Sequence, residues 1–182
     1  MISGKNYIGN TQAAAGSKTY KTFNPQLNTE NKTTFHEATP AEINEAVALA
    51  SKAFKEYNTI SGIKKAVFLN TIADEILVLD DELIHMYMQE SGLPEGRAKG
   101  ERGRTIGQLR MFADLVENGS WVEATIDTAI EDRKPVPKPD IRKMMVPLGP
   151  VVVFGASNFP LAYSRTHFVT QDVWREMQLN KL

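Results

Sequence analysis

The chain reads as an incomplete α/β fold: four amphipathic helices, then a hairpin, then one buried strand of a parallel sheet. Three features carry that reading. Apolar residues recur at helical spacing from about residue 39 to 119. The pattern shifts to strand-like pieces between residues 120 and 147. Pro150-Val151-Val152-Val153-Phe154 is then a continuous apolar run bounded by glycine, which suits a strand covered on both faces.

Residues 1–38 are polar, with turn signals at Gly4, Gly9, Gly16 and Asn24-Pro25, and read as an extended arm with one or two short strands. Thr39-Pro40-Ala41-Glu42 is a capping box with proline at the first helical position. Behind it Ile43, Ala46, Val47, Ala50, Phe54 and Tyr57 line one helix face. A second helix is expected from Ser61 to Leu79, burying Ala66, Leu69, Ile72, Ala73 and Ile76. A short third starts at Asp80 or Asp81, turns Leu83, Met86 and Tyr87 inward, and ends at Gly92. A fourth spans about Pro94 to Glu117, with Ala98, Ile106, Leu109, Phe112, Ala113 and Val116 on one face and Asn118-Gly119 as its stop. Trp121–Ile130 and Ile141–Val146 read as the two strands of a hairpin around the proline-rich reversal 134–140. The expected segments are thus the arm 1–38, helices 39–119, hairpin 120–147, strand and turn 148–164, and a tail 165–182.

Composition narrows the function. Among 182 residues, 21 Lys+Arg and 22 Asp+Glu leave a net charge of -1, which disfavours a nucleic-acid or anionic-membrane binder. Cysteine is absent, so the chain holds no disulfide, thiolate metal site or cysteine nucleophile. His36, His85 and His167 lack metal-ligand spacing. The first ten residues have no signal-like apolar core, and no apolar stretch reaches a membrane span, so the cytosol is the expected compartment. Glycines 96, 100, 103 and 107, interleaved with Arg97, Lys99, Arg102 and Arg104, match no phosphate loop. They read as a solvated helix start, or as room for close helix packing.

The chemistry concentrates in residues 147–164, PLGPVVVFGASNFPLAYS. A small-residue turn after a parallel strand is where α/β enzymes place ligands. Gly155 and Ala156 let a ligand approach the backbone, and Asn158 has two readings. It caps the helix that follows, or its amide donates to a developing oxyanion.

This window resembles the aldehyde dehydrogenase superfamily, and FGASNFPLAYS is similar to its branch acting on 2-oxoglutarate semialdehyde. Phe23-Asn24-Pro25, the Thr39–Tyr57 helix and Glu90-Ser91-Gly92-Leu93-Pro94 before a long helix agree with it. The resemblance implies the N-terminal part of a Rossmann-like cofactor domain. It assigns Asn158 to the oxyanion hole and Phe154, Gly155, Ala156 and Ser157 to the nicotinamide end of the cofactor cleft. It implies NAD or NADP in the complete family member, with none bound by this chain, a small aldehyde as substrate, and a homo-oligomer joined through the 120–147 hairpin.

The family's cysteine nucleophile, glutamate base and cofactor-ribose lysine are missing, and residues 165–182 depart from the family pattern. The chain is therefore expected to be a truncated or frame-shifted fragment, inactive and poorly soluble alone. The alternative is a non-catalytic module that pairs with a full-length relative. A stand-alone helical binder has little support, because no ligand-specific constellation is present.

Overall fold

A computed structural model of the chain describes residues 3–155 and 158–161. The arm is more ordered than its composition suggests. It forms two antiparallel hairpins, β1 (Asn6–Ile8) with β2 (Thr11–Ala13), and β3 (Thr19–Asn24) with β4 (Thr29–His36). At the second turn the buried Asn24 side chain accepts from the backbone N–H groups of Gln26 (3.0 Å) and Leu27 (3.1 Å), so the Asn24-Pro25 signal is a side-chain-stabilised reversal.

Helix α1 (Pro40–Tyr57) begins as the sequence requires. The Thr39 hydroxyl accepts from the Glu42 N–H at 3.2 Å, and the Glu42 carboxylate accepts from the Thr39 N–H at 2.7 Å. Glu42 also accepts from the Ala15 N–H at 3.1 Å, which ties the arm to the helix start. Helices α2 (Gly62–Val78), α3 (Asp80–Ser91) and α4 (Glu95–Asn118) build the core. Ser61 caps α2, and Gly92 and Gly119 end α3 and α4 in the left-handed region at φ 70° and 74°. No aspartate caps α3, whose cap residue is Leu79, without a side-chain bond. Ile72, Ala73 and Ile76 pack with Leu83, Ile84, Ala98, Ile106 and Leu109, and Leu161 joins them from the far end of the chain. Complete burial of Ile72 and Ile84 contributes roughly 1.5–3 kcal/mol each.

The expected hairpin is present but shorter. A 3-10 turn occupies Ser120–Val122, and β5 (Thr125–Asp127) pairs antiparallel with β6 (Ile141–Lys143), in register Thr125↔Lys143. An isolated bridge joins Ile130 to Lys138. The ribbon stands in solvent on both faces, the condition in which two strands hold least regular structure.

One expectation fails for want of a pairing partner. The run 150–154 is not a buried parallel strand: it has no strand assignment, and Val151, Val152 and Phe154 are 63%, 72% and 89% exposed. A strand is defined by hydrogen-bonded neighbours, and this run belongs to none of the three sheets among the described residues. The apolar stripe of α1 likewise stays open at Ile43 and Val47, as does Phe112 on α4. In an α/β layer such faces are covered by the sheet, and here only the α2–α4 side has its partner.

Glycine on α4 does not serve close packing. A Cβ at Gly96, Gly100, Gly103 or Gly107 meets nothing within 4 Å, whereas one at Gly62 sits 2.1 Å from the Val116 carbonyl oxygen. The close approach is therefore at the start of α2 against the end of α4. Gly103→Ala raises the stability of the chain by about 1 kcal/mol, since it removes only backbone entropy. Gly62→Ala lowers it by about 1–3 kcal/mol through overpacking. Urea denaturation of the two variants is expected to show these opposite signs.

Candidate functional site

The site is organised around a buried carboxylate. Glu101 lies three residues after Ala98 and four before Thr105, on the buried face of α4, and is 3% exposed. Such a group is costly to bury unless its oxygens are satisfied. Its Oε1 accepts from the Tyr87 hydroxyl of α3 at 2.9 Å and from Arg97 Nε, one turn earlier, at 2.7 Å. Its Oε2 accepts from the backbone N–H of Leu161 at 3.2 Å.

Those bonds bring the expected chemical segment onto the helical core. Arg97 continues past Glu101, donating from Nη2 to the Asn158 carbonyl oxygen at 3.1 Å. Its guanidinium carbon lies 4.5 Å from the centre of the Phe159 ring, with that of Arg104 at 5.4 Å. Leu161 is buried among α2–α4 side chains. Residues 158–161 are thus held at the carbonyl of 158, the ring of 159, and both the N–H and the side chain of 161.

Asn158 itself is exposed, and among the described residues its side-chain amide has no hydrogen-bond partner. Phe154 and Gly155 are also exposed, while Ala156 and Ser157 fall outside the described residues, as does the tail from 165. No group of three or more His, Asp or Glu side chains suited to a metal is present among the described residues, and no helix there is long and apolar enough to cross a membrane.

The electrostatics follow from the geometry. Burial pushes the Glu101 carboxyl up, but Arg97, Tyr87 and the Leu161 N–H together outweigh it and hold it below the usual carboxylate range. Burial, then the adjoining carboxylate, pushes the Tyr87 hydroxyl up to about 12. The Glu101 contribution to stability is therefore present above the ordinary carboxylate pKa and lost as pH falls through the lowered value. The Tyr87 contribution is present below the ordinary tyrosine value and lost as pH rises through about 12.

Sequence pattern alone puts Arg97 in a solvated helix start and gives no role to Glu101 or to the Tyr87 hydroxyl. The available signal is a carboxylate at core spacing on α4, four residues after an arginine able to pair with it.

Residues 12–171 match the aldehyde dehydrogenase family, a stretch that runs past the break expected after Ser164. The chain is 44% identical over 165 residues to alpha-ketoglutaric semialdehyde dehydrogenase 2 of Azospirillum brasilense, covering 90% of this chain and 31% of that protein. It is 41% identical over 162 residues to alpha-ketoglutaric semialdehyde dehydrogenase of Acinetobacter baylyi, covering 89% and 31%. The chain thus spans about a third of the length of these curated relatives. Among solved structures, betaine aldehyde dehydrogenase of Staphylococcus aureus in complex with NAD+ superposes with a TM-score of 0.76 at 17% identity, over all of this chain and 39% of that one. A 3,6-anhydro-L-galactose dehydrogenase in complex with NAP gives 0.76 at 21% identity, over 96% and 39%. These two likenesses establish the fold.

Glu101→Ala strands the Tyr87 and Leu161 donors and is expected to lower stability by roughly 2–4 kcal/mol. In a denaturation series from neutral to acid pH, the wild-type chain loses stability below the carboxylate range, and the variant lacks the part of that loss due to Glu101.

Proposed function

The chain belongs to the aldehyde dehydrogenase family, and from that premise we propose that it is the N-terminal part of an NAD(P)-dependent enzyme that oxidises 2-oxoglutarate semialdehyde to the carboxylate. The substrate assignment rests on the two relatives above 40% identity. The observation that supports a chemical role within this chain is at Asn158: its backbone is pinned by Arg97, and its side-chain amide is exposed.

In the reaction so proposed, a cysteine thiolate elsewhere in the complete protein attacks the aldehyde carbon. A carbon–sulfur bond forms and the carbonyl π pair moves to oxygen. The Asn158 N–H donates to that oxygen as its charge develops, and a neutral amide does so without adding charge to the site. Asn158 is the one catalytic residue proposed in this chain. With no cysteine among its 182 residues, the chain alone carries no nucleophile for this step and is inactive. Phe154, Gly155, Ala156 and Ser157 belong to the cofactor cleft of the complete protein, and its choice between NAD and NADP is made by residues outside this chain.

A second reading is favoured by exposed apolar surface. Ile126, Val146 and Leu148, in and just after the hairpin, are 65%, 65% and 97% exposed, an arrangement suited to joining a second subunit. In that reading the chain pairs with a full-length relative. Co-purification of tagged chain with a cysteine-bearing relative, lost on Ile126→Lys, supports it; a chain that sediments alone in the presence of that relative contradicts it.

The primary reading is tested by following nicotinamide reduction with 2-oxoglutarate semialdehyde. The purified chain is expected to show none. The chain joined to the remaining two thirds of the Azospirillum brasilense relative is expected to oxidise the aldehyde, and Asn158→Ala in that protein to lower kcat by about 10²–10³-fold. Activity in the 182-residue chain alone, or full activity in the Asn158 variant, contradicts the reading.

A further inference from the structure

Asn158 and Glu101 compete, by position, for one hydrogen bond. A helical turn opens at Pro160, and an asparagine side-chain oxygen is able to turn onto the backbone N–H three residues on, as Asn24 does to Leu27 at 3.1 Å. Pro160 has no N–H, so the first one that Asn158 could take is that of Leu161. That N–H is already bonded to Glu101 Oε2 at 3.2 Å, and Asn158 makes no side-chain bond among the described residues.

We infer that Glu101 is a positioning residue that caps the 158–161 turn from the neighbouring helix and so releases the Asn158 amide for a ligand's oxygen. This role deepens the oxyanion reading of Asn158 and rests on it for its functional meaning; the hydrogen-bond exchange itself stands on geometry alone.

Three features fit. The two Glu101 oxygens have separate partners. Oε1 accepts from Tyr87 and Arg97, while Oε2 accepts only from Leu161 among the described residues. Arg97 carries the same anchor to the other end of the turn, donating to the Asn158 carbonyl at 3.1 Å. The Leu161 side chain is 3% exposed, so the N–H that Glu101 holds belongs to a residue fixed by packing and not to a free end. The Glu101–Arg97 pair on one rigid helix thereby sets both backbone ends of the turn and leaves the Asn158 side chain unspent.

The division of oxygens supplies a selective variant. In Glu101→Gln the amide oxygen keeps Tyr87 and Arg97, which turns the NH₂ toward the Leu161 N–H, where two donors face each other. The Leu161 bond is lost while the helix packing stays. Amide hydrogen exchange of the full chain, read by NMR at Leu161 with Ile72 and Ala73 as core references, tests the inference without aldehyde or cofactor.

Glu101→Gln is expected to accelerate Leu161 exchange roughly tenfold, with the α2 references unchanged. Asn158→Ala in the wild-type background leaves Leu161 unchanged. In the Glu101→Gln background, Asn158→Ala accelerates Leu161 further, because the asparagine has by then taken the vacated N–H. Tyr87→Phe, which touches only Oε1, leaves Leu161 protected. The inference is overturned if Asn158→Ala alone accelerates Leu161, if Glu101→Gln does not, or if Leu161 in the wild-type chain exchanges like an exposed residue. None of these readings depends on turnover, so the exchange can hold while the proposed oxyanion role fails, and the reverse.

Discussion

One buried carboxylate connects the parts of this molecule that matter for its chemistry. Glu101 receives a hydroxyl from α3, a guanidinium from its own helix, and a main-chain N–H from a segment 60 residues downstream. An ionised carboxylate in a helical core is tolerated where both of its oxygens are hydrogen-bonded, and here the third bond comes from the turn that carries Asn158. The anchoring of residues 158–161 and the solvation balance of Glu101 are thus a single problem with a single solution. The Leu161 side chain adds apolar packing to the same anchor.

The rest of the molecule divides according to which faces have partners. Helices α2, α3 and α4 bury their apolar stripes in one another, and the β3–β4 hairpin leans on the end of α3, where Thr22 donates to Glu90 at 3.1 Å and Pro25 packs against the space at Gly92. The outer stripe of α1 and the run 150–154 have no such partner among the described residues. Their sequences carry the pattern of a layered α/β protein of which the chain spans about a third of the length of its relatives, 31% in each. Apolar surface of this pattern is exposed at Ile43, Val47, Val151, Val152 and Phe154.

What is legible in the sequence follows locality. The capping box at Thr39–Glu42, the glycine stops at Gly92 and Gly119, and the burial of Ala66, Ile72, Ala73, Ile76, Leu83 and Tyr87 depend on residues a few positions apart, and each is present, whereas Met86 is half-buried and Ile84 takes the inward place. The resemblance carried by residues 147–164 and the ordered motifs before it leads to the family that residues 12–171 match. What escapes reading depends on distant partners. Gly62 is needed because Val116 lies against it, and nothing near Gly62 in sequence announces that contact. Glu101 looks like one charge among several on a glycine-rich helix, and its meaning is set by Tyr87 and Leu161. The strand expected at 150–154 fails from the same cause: apolar composition describes how a strand is covered, whereas pairing makes it one.

The proposed chemistry turns on whether the Asn158 amide is held open to steady negative charge on an aldehyde oxygen. A crystal structure of the joined protein, trapped as the covalent adduct of the aldehyde with its cysteine, reads that directly. Asn158 Nδ2 is expected at about 3 Å from the former carbonyl oxygen, with the Leu161 N–H still on Glu101. An adduct oxygen facing away from Asn158, or an Asn158 side chain folded back onto Leu161, would contradict it.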